Sequence, residues 1–355
     1  MKMFEYLKQL QEEFALLQRM LTDDKVISDQ KRYRETTVRY AALNKIIPHA
    51  IQLDRLMASK EEIMQVLASE SDEEMLLLAG EELPVTEAKI EKVKSVLEQV
   101  LFEEESDPDR DIFVEIRPAA GGQESALFAA ELYRMYVKYA DEHGWKVDVV
   151  EEQNTEIGGL KSVVFGVSGH GASLRFKYES GVHRVQRVPE TESGGRIHTS
   201  TVTVAVMVEP DEVDVTIDPS ELKIDTYRAS GAGGQHVNTT DSAVRITHVP
   251  TGIIVACQDE RSQVKNKEKA MRLLRTKIHD KMLEDQQQDV ADQRRAQIGT
   301  GDRSEKIRTY NYPQRRVTDH RGPVTVYRLE EILEGNLDFI VEELMDAERK
   351  LKIQW

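Results

Sequence analysis

The chain has 355 residues, 39% hydrophobic and 32% charged, with 48 Lys and Arg against 64 Asp and Glu for a net charge of −16. Domains run roughly 100–200 residues, so several small globular units are expected, and no run approaches the ~18 consecutive apolar residues of a membrane span. A single cysteine, Cys257, excludes a disulfide framework and a cysteine zinc site. The first residues, Met1 to Glu5, open on mixed charge instead of an apolar signal core, so a cytoplasmic protein with no membrane partner is expected.

Residues 1–105 read as helices. Phe4, Leu7, Leu10, Phe14, Leu17 and Met20 recur at three- and four-residue spacing, as do Leu53, Leu56, Met57, Ile63, Met64 and Leu67, and then Ile90, Val93, Val96, Leu97 and Val100. This is the pattern of an N-terminal helical bundle or hairpin. The acidic, proline-containing stretch Glu103 to Asp109 marks a boundary.

Period-two runs follow at 112–116, 147–150, 162–167, 174–178 and 201–206, each read as a strand. One helix, 124–143, lies among them, with Phe128, Leu132, Met135, Tyr136 and Tyr139 on one face. The predicted class is therefore α+β. A second boundary falls at 210–220. Beyond it come a strand, a glycine loop, strands near 244–247 and 253–256, and a long helix over 262–296, a small mixed α/β unit. The tail, with a strand at 324–327 and a helix from 329, is expected to return to the earlier sheet. Three domains are predicted: 1–105, 106–218 with 305–355, and 219–304. Cys257 ends an apolar strand and reads as a buried small side chain.

Charge is uneven. Residues 261–321 hold 16 basic against 9 acidic residues, and residues 1–110 hold 15 against 24. The basic stretch is a candidate RNA-facing surface despite the negative total.

Standard catalytic patterns are absent. Gly231-Ala232-Gly233-Gly234-Gln235-His236 has histidine where a dinucleotide fingerprint needs glycine, and there is no Walker lysine, zinc-protease histidine pair or G-x-S-x-G elbow. The nine histidines are scattered, so no metal and no cofactor are expected. The loop itself is informative. Its glycines allow conformations closed to residues with Cβ, and a neutral amide, Gln235, follows. It reads either as a plain mobile turn or as a device for attack of water on an ester. In the second case the Gln235 N–H faces the oxyanion and its side chain shapes the water pocket.

Ser230 to Asn238 resembles the GGQ loop of class I peptide chain release factors. Val249 to Ile253, Cys257 to Gln263, Asn266-Lys267, Asn311-Tyr312-Pro313 and Arg316 to Arg321 are similar to later segments of that family, in the same order. The resemblance covers essentially everything from residue 110 onward. It implies that Gly233, Gly234 and Gln235 enter the peptidyl transferase centre, and that a dedicated methyltransferase converts Gln235 to N5-methylglutamine. Hydrolysis of peptidyl-tRNA would then occur only as part of the ribosome, with no free-standing enzyme. The implied partners are the ribosome (16S and 23S rRNA), the mRNA stop codon, peptidyl-tRNA and a class II release factor GTPase, and the protein is expected to be a monomer.

Gly121-Gly122-Gln123 is a second GGQ string, but it opens a helix and resembles the family's G-G-x-E element. Its backbone at Gly121 and Glu124 is implied to read the first base, U. By the resemblance, the segments 185–192 and 195–200 are the codon-reading loop; single-stranded RNA is recognised by stacking and by bonds to base edges. Thr191 has a hydroxyl for an adenine edge, His198 can stack on the second base, and Gln186 and Thr199 can meet A or G in third place. Pro189-Glu190-Thr191 resembles the P-x-T signature of the branch reading UAA and UAG; Glu190 departs from the usual small apolar residue and is expected to face solvent. The UAA/UGA branch carries a different tripeptide here, and a ribosome-rescue hydrolase lacks a codon domain. A free-standing hydrolase would need a nucleophile–base pair that is missing.

Overall fold

The computed structural model describes residues 3–70, 72–105, 110–189, 194–210, 217–228, 241–322 and 324–352. By its internal contacts the chain divides into two units, Met1–Val208 with Ile298–Trp355, and Glu209–Gln297.

The first unit begins with α1 (Met3–Met20), α2 (Asp24–Ile27), α3 (Gln30–Ser69) and α4 (Glu73–Glu105). α3 is roughly 60 Å long at 1.5 Å per residue. α3 and α4 fold back on each other, and Lys60 Nζ meets Glu87 Oε1 at 2.7 Å across the hairpin. Leu7, Leu10 and Leu17 of α1, Leu43, Ile46 and Leu53 of α3, and Ile90, Val93 and Leu97 of α4 form their shared core. Phe4, Met57 and Met64, read as part of the apolar stripe, are exposed. Each helix offers a single seam to its neighbours, and residues one step round from it face solvent.

After the helices come β1 (Ile112–Pro118), α5 (Gln123–Glu142), β2 (Lys146–Asn154), β3 (Leu160–Ser168), α6 (Ala172–Phe176), a 3-10 turn (Lys177–Glu179), β4 (Gly181–Arg187) and β5 (His198–Val208). The stretch 174–178, expected to be a strand, is helical instead. Its alternation has another cause: Leu174 packs into the helical core, while Phe176 and Tyr178 pack into the sheet's core. A short turn wedged between two cores buries both of its sides, which mimics the period of a strand.

The second unit holds β6 (Leu222–Tyr227), β7 (Ala243–His248), β8 (Ile254–Cys257) and α7 (Gln263–Ile298). The three strands are antiparallel in the order β6-β7-β8. Ala270, Leu274 and Ile278 of α7 pack on Val244, Ile246, Val255 and Cys257, so the cysteine is a core residue.

The chain then returns to the first unit with β9 (Lys306–Asn311), β10 (Arg316–Asp319), β11 (Val324–Val326), α8 (Leu329–Leu333) and α9 (Asp338–Lys352). Together the first unit's strands make an eight-stranded sheet, β11-β10-β9-β4-β5-β1-β3-β2. Every pairing is antiparallel except β4 with β9. Phe128, Leu132, Met135, Tyr136 and Tyr139 of α5 fill the sheet's core with Ile340, Val341 and Leu344 of α9. Buried ion pairs lock β9 in place. Fully buried Arg308 donates through Nη1 to Glu179 Oε2 at 2.6 Å and through Nε to Asp319 Oδ2 at 3.1 Å. Tyr136 Oη donates to the same Glu179 oxygen at 2.9 Å. No helix among the described residues is long and apolar enough to cross a membrane.

Candidate functional site

In the first unit the start of α5 meets the end of the β4–β5 hairpin at which residues 188–197 connect the two strands. Gly121 has φ 136° and Gly122 φ 62°, conformations that residues with Cβ rarely adopt. Space imposes the same choice at Gly121: a Cβ there would stand 2.3 Å from Ser200 Oγ and 2.5 Å from Ser200 Cβ. Three hydrogen bonds lace this loop to β5. Ala119 N donates to Thr201 O at 2.9 Å, Thr201 N to Ala120 O at 2.7 Å, and Ala120 N to Thr201 Oγ1 at 2.9 Å. Gly122, the N-cap of α5, has no side chain to satisfy the helix's first N–H groups, which leaves them available to acceptors.

Gln186 and Thr199, expected in a loop, are cross-strand neighbours in the β4–β5 ladder, as are Arg187 and His198. The ladder continues because both edges of β4 are paired: Gln186 also neighbours Asn311 of β9, whose Nδ2 donates to Gln186 Oε1 at 3.2 Å. Gly121, Glu124, Gln186, His198 and Thr199 thus converge at one end of the unit. His198 is exposed, Thr199 and Gln186 are half-buried, and Pro189 is buried. Thr191 and Glu190 lie outside the described residues.

Beneath these groups lies a charged network that sequence reading missed. The Glu124 side chain is only 6% exposed and accepts from Arg187 Nε at 2.5 Å through Oε1, while its Oε2 is buried without a partner. Arg187 Nη1 also donates to Glu131 Oε1 and Oε2 at 2.7 and 2.8 Å and to Tyr312 Oη at 3.1 Å. Tyr312 Oη in turn donates to Glu131 Oε2 at 2.6 Å. Burial by itself would lower the Arg187 pKa, but the hydrogen bonds and charges of Glu131 and Glu124 outweigh it and raise the pKa. Burial, then Glu131, pushes the Tyr312 phenol up, so it remains a donor. One signal was present: Glu124 and Glu131 stand seven residues apart, on one face of a helix.

In the second unit, Gly233, Gly234 and Gln235 fall in 229–240, outside the described residues, but both feet of their loop are defined. The loop leaves β6 after Tyr227 and enters β7 at Ala243, which is the cross-strand neighbour of Tyr227. Arg228 Nε stands 3.8 Å from Asp241 Oδ1, and Gln263 Nε2 donates to Asp241 O at 3.1 Å. Fully buried Asn266 is the anchor. Its Nδ2 donates to Ser242 O and Glu260 O, both at 2.8 Å, and its Oδ1 accepts from Glu260 N at 3.0 Å. Exposed Arg261 precedes α7, and exposed Lys265, Lys267, Arg272, Arg275, Lys277 and Lys281 are spread over its first half. Among the described residues no His, Cys, Asp and Glu cluster is suited to a metal.

Two family descriptions match the chain, the PCRF domain over residues 10–204 and the RF-1 domain over residues 211–321. The chain is similar to Peptide chain release factor 1 of Acetivibrio thermocellus, at 47% identity over 351 residues, 99% of this chain and 98% of that protein. It is similar to the protein of the same name from Halalkalibacterium halodurans at 48% identity, covering 98% of each. With the one from Agathobacter rectalis it shares 49% identity, over 99% of this chain and 98% of the relative. Among solved structures, RF2 of Thermus thermophilus matches with a TM-score of 0.52 and 29% identity, over 98% of this chain and 97% of that one.

Proposed function

From the premise that the chain belongs to the peptide chain release factor family, we propose that it reads UAA and UAG in the ribosomal A site and triggers hydrolysis of the peptidyl-tRNA ester. The observation that carries this is the match to proteins named Peptide chain release factor 1 along nearly the whole chain, through both units. The convergence of Gly121, Glu124, Gln186, His198 and Thr199 in one unit supports a reading site of the kind single-stranded RNA requires.

In this reading the backbone at Gly121 and Glu124 offers N–H donors to the uracil edge. Thr191, in the signature that Pro189 opens, meets an adenine edge, and His198 stacks on the second base. Gln186 and Thr199 each carry a group that can donate and accept, so either A or G is accepted third. Gly233 and Gly234 free the backbone so that the Gln235 N–H stabilises the developing oxyanion while its side chain confines water. The chain lends a donor and a pocket to chemistry carried out within ribosomal RNA, so without the ribosome it hydrolyses nothing. N5-methylation of Gln235 by a glutamine methyltransferase, recycling by a class II release factor GTPase, a cytoplasmic location and a monomeric state belong to the same reading.

The test is release of labelled formylmethionine from ribosomes programmed with UAA, UAG, UGA or a sense codon. Release on UAA and UAG alone is expected. Release on UGA, or without regard to codon, would move the assignment to the sister branch or to a rescue hydrolase.

A further inference from the structure

The hydroxyl of Thr201 has one hydrogen and two lone pairs. The side chain is fully buried, and its hydroxyl donates to Gly301 O at 3.1 Å while accepting from Ala120 N at 2.9 Å. The two bonds depend on one another: committing the hydrogen to Gly301 O turns a lone pair toward the Ala120 N–H. Ala120 immediately precedes Gly121, and Thr201 follows Thr199 and Ser200 on β5. The acceptor is held as tightly as the donor. Gly301 has φ 71°, and a Cβ there would stand 3.0 Å from Ala119 Cβ and 3.3 Å from Thr203 Cγ2, so the residue cannot be enlarged without moving its neighbours. Gly301 N is itself fixed by donating to Ile298 O at 3.1 Å.

We propose that Thr201 is a positioning residue for stop-codon discrimination: its hydroxyl, oriented by Gly301 O, sets the place of the 119–122 loop that reads the first base. The proposal rests on the reading of that loop given above. Thr201 touches no base. It acts through Ala120, and what it contributes is the hydroxyl rather than the methyl group. Without the hydroxyl the half-buried Ala120 N–H loses its partner, and the loop relaxes toward water, carrying Gly121 off its place against Ser200.

The experiment compares wild type, Thr201→Val and Thr201→Ser in single-turnover release from ribosomes programmed with UAA or with CAA, which differs at the first base. Valine keeps the shape and loses the hydroxyl; serine does the reverse. Thr201→Val is expected to raise the half-saturating concentration on UAA roughly tenfold, to lower the preference for UAA over CAA, and to leave the saturating rate within about twofold. Thr201→Ser is expected to stay within about twofold of wild type in all three. A Thr201→Val protein indistinguishable from wild type overturns the proposal, as does a Thr201→Ser protein as impaired as the valine variant, which would assign the effect to packing. Should the valine variant fold poorly, Thr201→Ala, which also lacks the hydroxyl, carries the same expected shift relative to Thr201→Ser. Amide hydrogen exchange of the free protein gives a ribosome-independent readout: exchange at Ala120 must quicken in Thr201→Val and stay slow in Thr201→Ser. If the wild-type protein fails to release on UAA, it is the stop-codon reading that falls, and the exchange result still judges the tie.

Discussion

Replacing Arg187 with methionine removes one cation from between two carboxylates. The Glu124 side chain is 6% exposed and that of Glu131 25%, while Arg187 itself is 12% exposed. Breaking a buried pair by deleting one partner typically costs about 3–5 kcal/mol, because the remaining charge has no compensation. The partial exposure of Glu131 argues for the lower end, about 3 kcal/mol. For a unit of this size that corresponds to a fall in Tm of roughly 6–10 °C. Glu124 lies in the first turn of α5, so the same change loosens the helix start and should raise the half-saturating concentration for release on UAA. A companion substitution separates charge from packing: in a Glu124→Gln background, Arg187→Met should cost at most about half as much, since one orphaned carboxylate is already neutral. Thermal and urea unfolding of the four proteins in the cycle measure this. A loss below about 1 kcal/mol for Arg187→Met, as for an exposed pair, or strict additivity in the cycle, would refute the argument.

Burial holds His183 neutral and pushes its pKa from 6.5 down to about 4. The unfolded chain therefore binds a proton between pH 6.5 and 4 that the folded one does not, and stability falls as pH drops through that window, by roughly 3 kcal/mol from this residue. Stability measured against pH should show a shallower slope there in His183→Gln, and an unchanged slope would mean the imidazole is solvated. Gly121→Ala places a Cβ 2.3 Å from Ser200 Oγ at φ 136°, and should lower kcat/KM for release on stop codons at least tenfold with a stability loss of about 1–3 kcal/mol. Asn266→Asp replaces two donors facing Ser242 O and Glu260 O with acceptors, and should destabilise the second unit by about 3 kcal/mol in urea unfolding. Wild-type stability in that variant would show that the turn at 258–262 is not tied through Asn266.

Much of the local structure was legible in the sequence. The helices of residues 3–105 follow from apolar spacing, and α5 and α7 lie within a residue or two of their expected ends. The residues gathered at the α5 start were identified through order and resemblance, and their convergence is visible in the register of β4 with β5. The network beneath them was not legible. Arg187, Glu131 and Tyr312 are separated by up to 181 positions; the spacing of Glu124 and Glu131 puts those two on one helix face, but nothing local marks Arg187 and Tyr312 as their partners.

What the chain determined by itself is what depends on near neighbours. A 3.6-residue period makes a helix, glycine at 121 and 122 permits positive φ, and a lone cysteine in an apolar strand is buried. What only the tertiary structure decided is what depends on distant groups meeting. The parallel pairing of β4 with β9 joins residues more than a hundred positions apart. Arg308 is tolerated at full burial only because Glu179 and Asp319 are brought to it. The stretch 174–178 shows the limit most clearly. Its alternation is real, but whether residues 174, 176 and 178 cover one face of a sheet or wedge a turn between two cores depends on what lies on either side, and that is a property of the assembled chain.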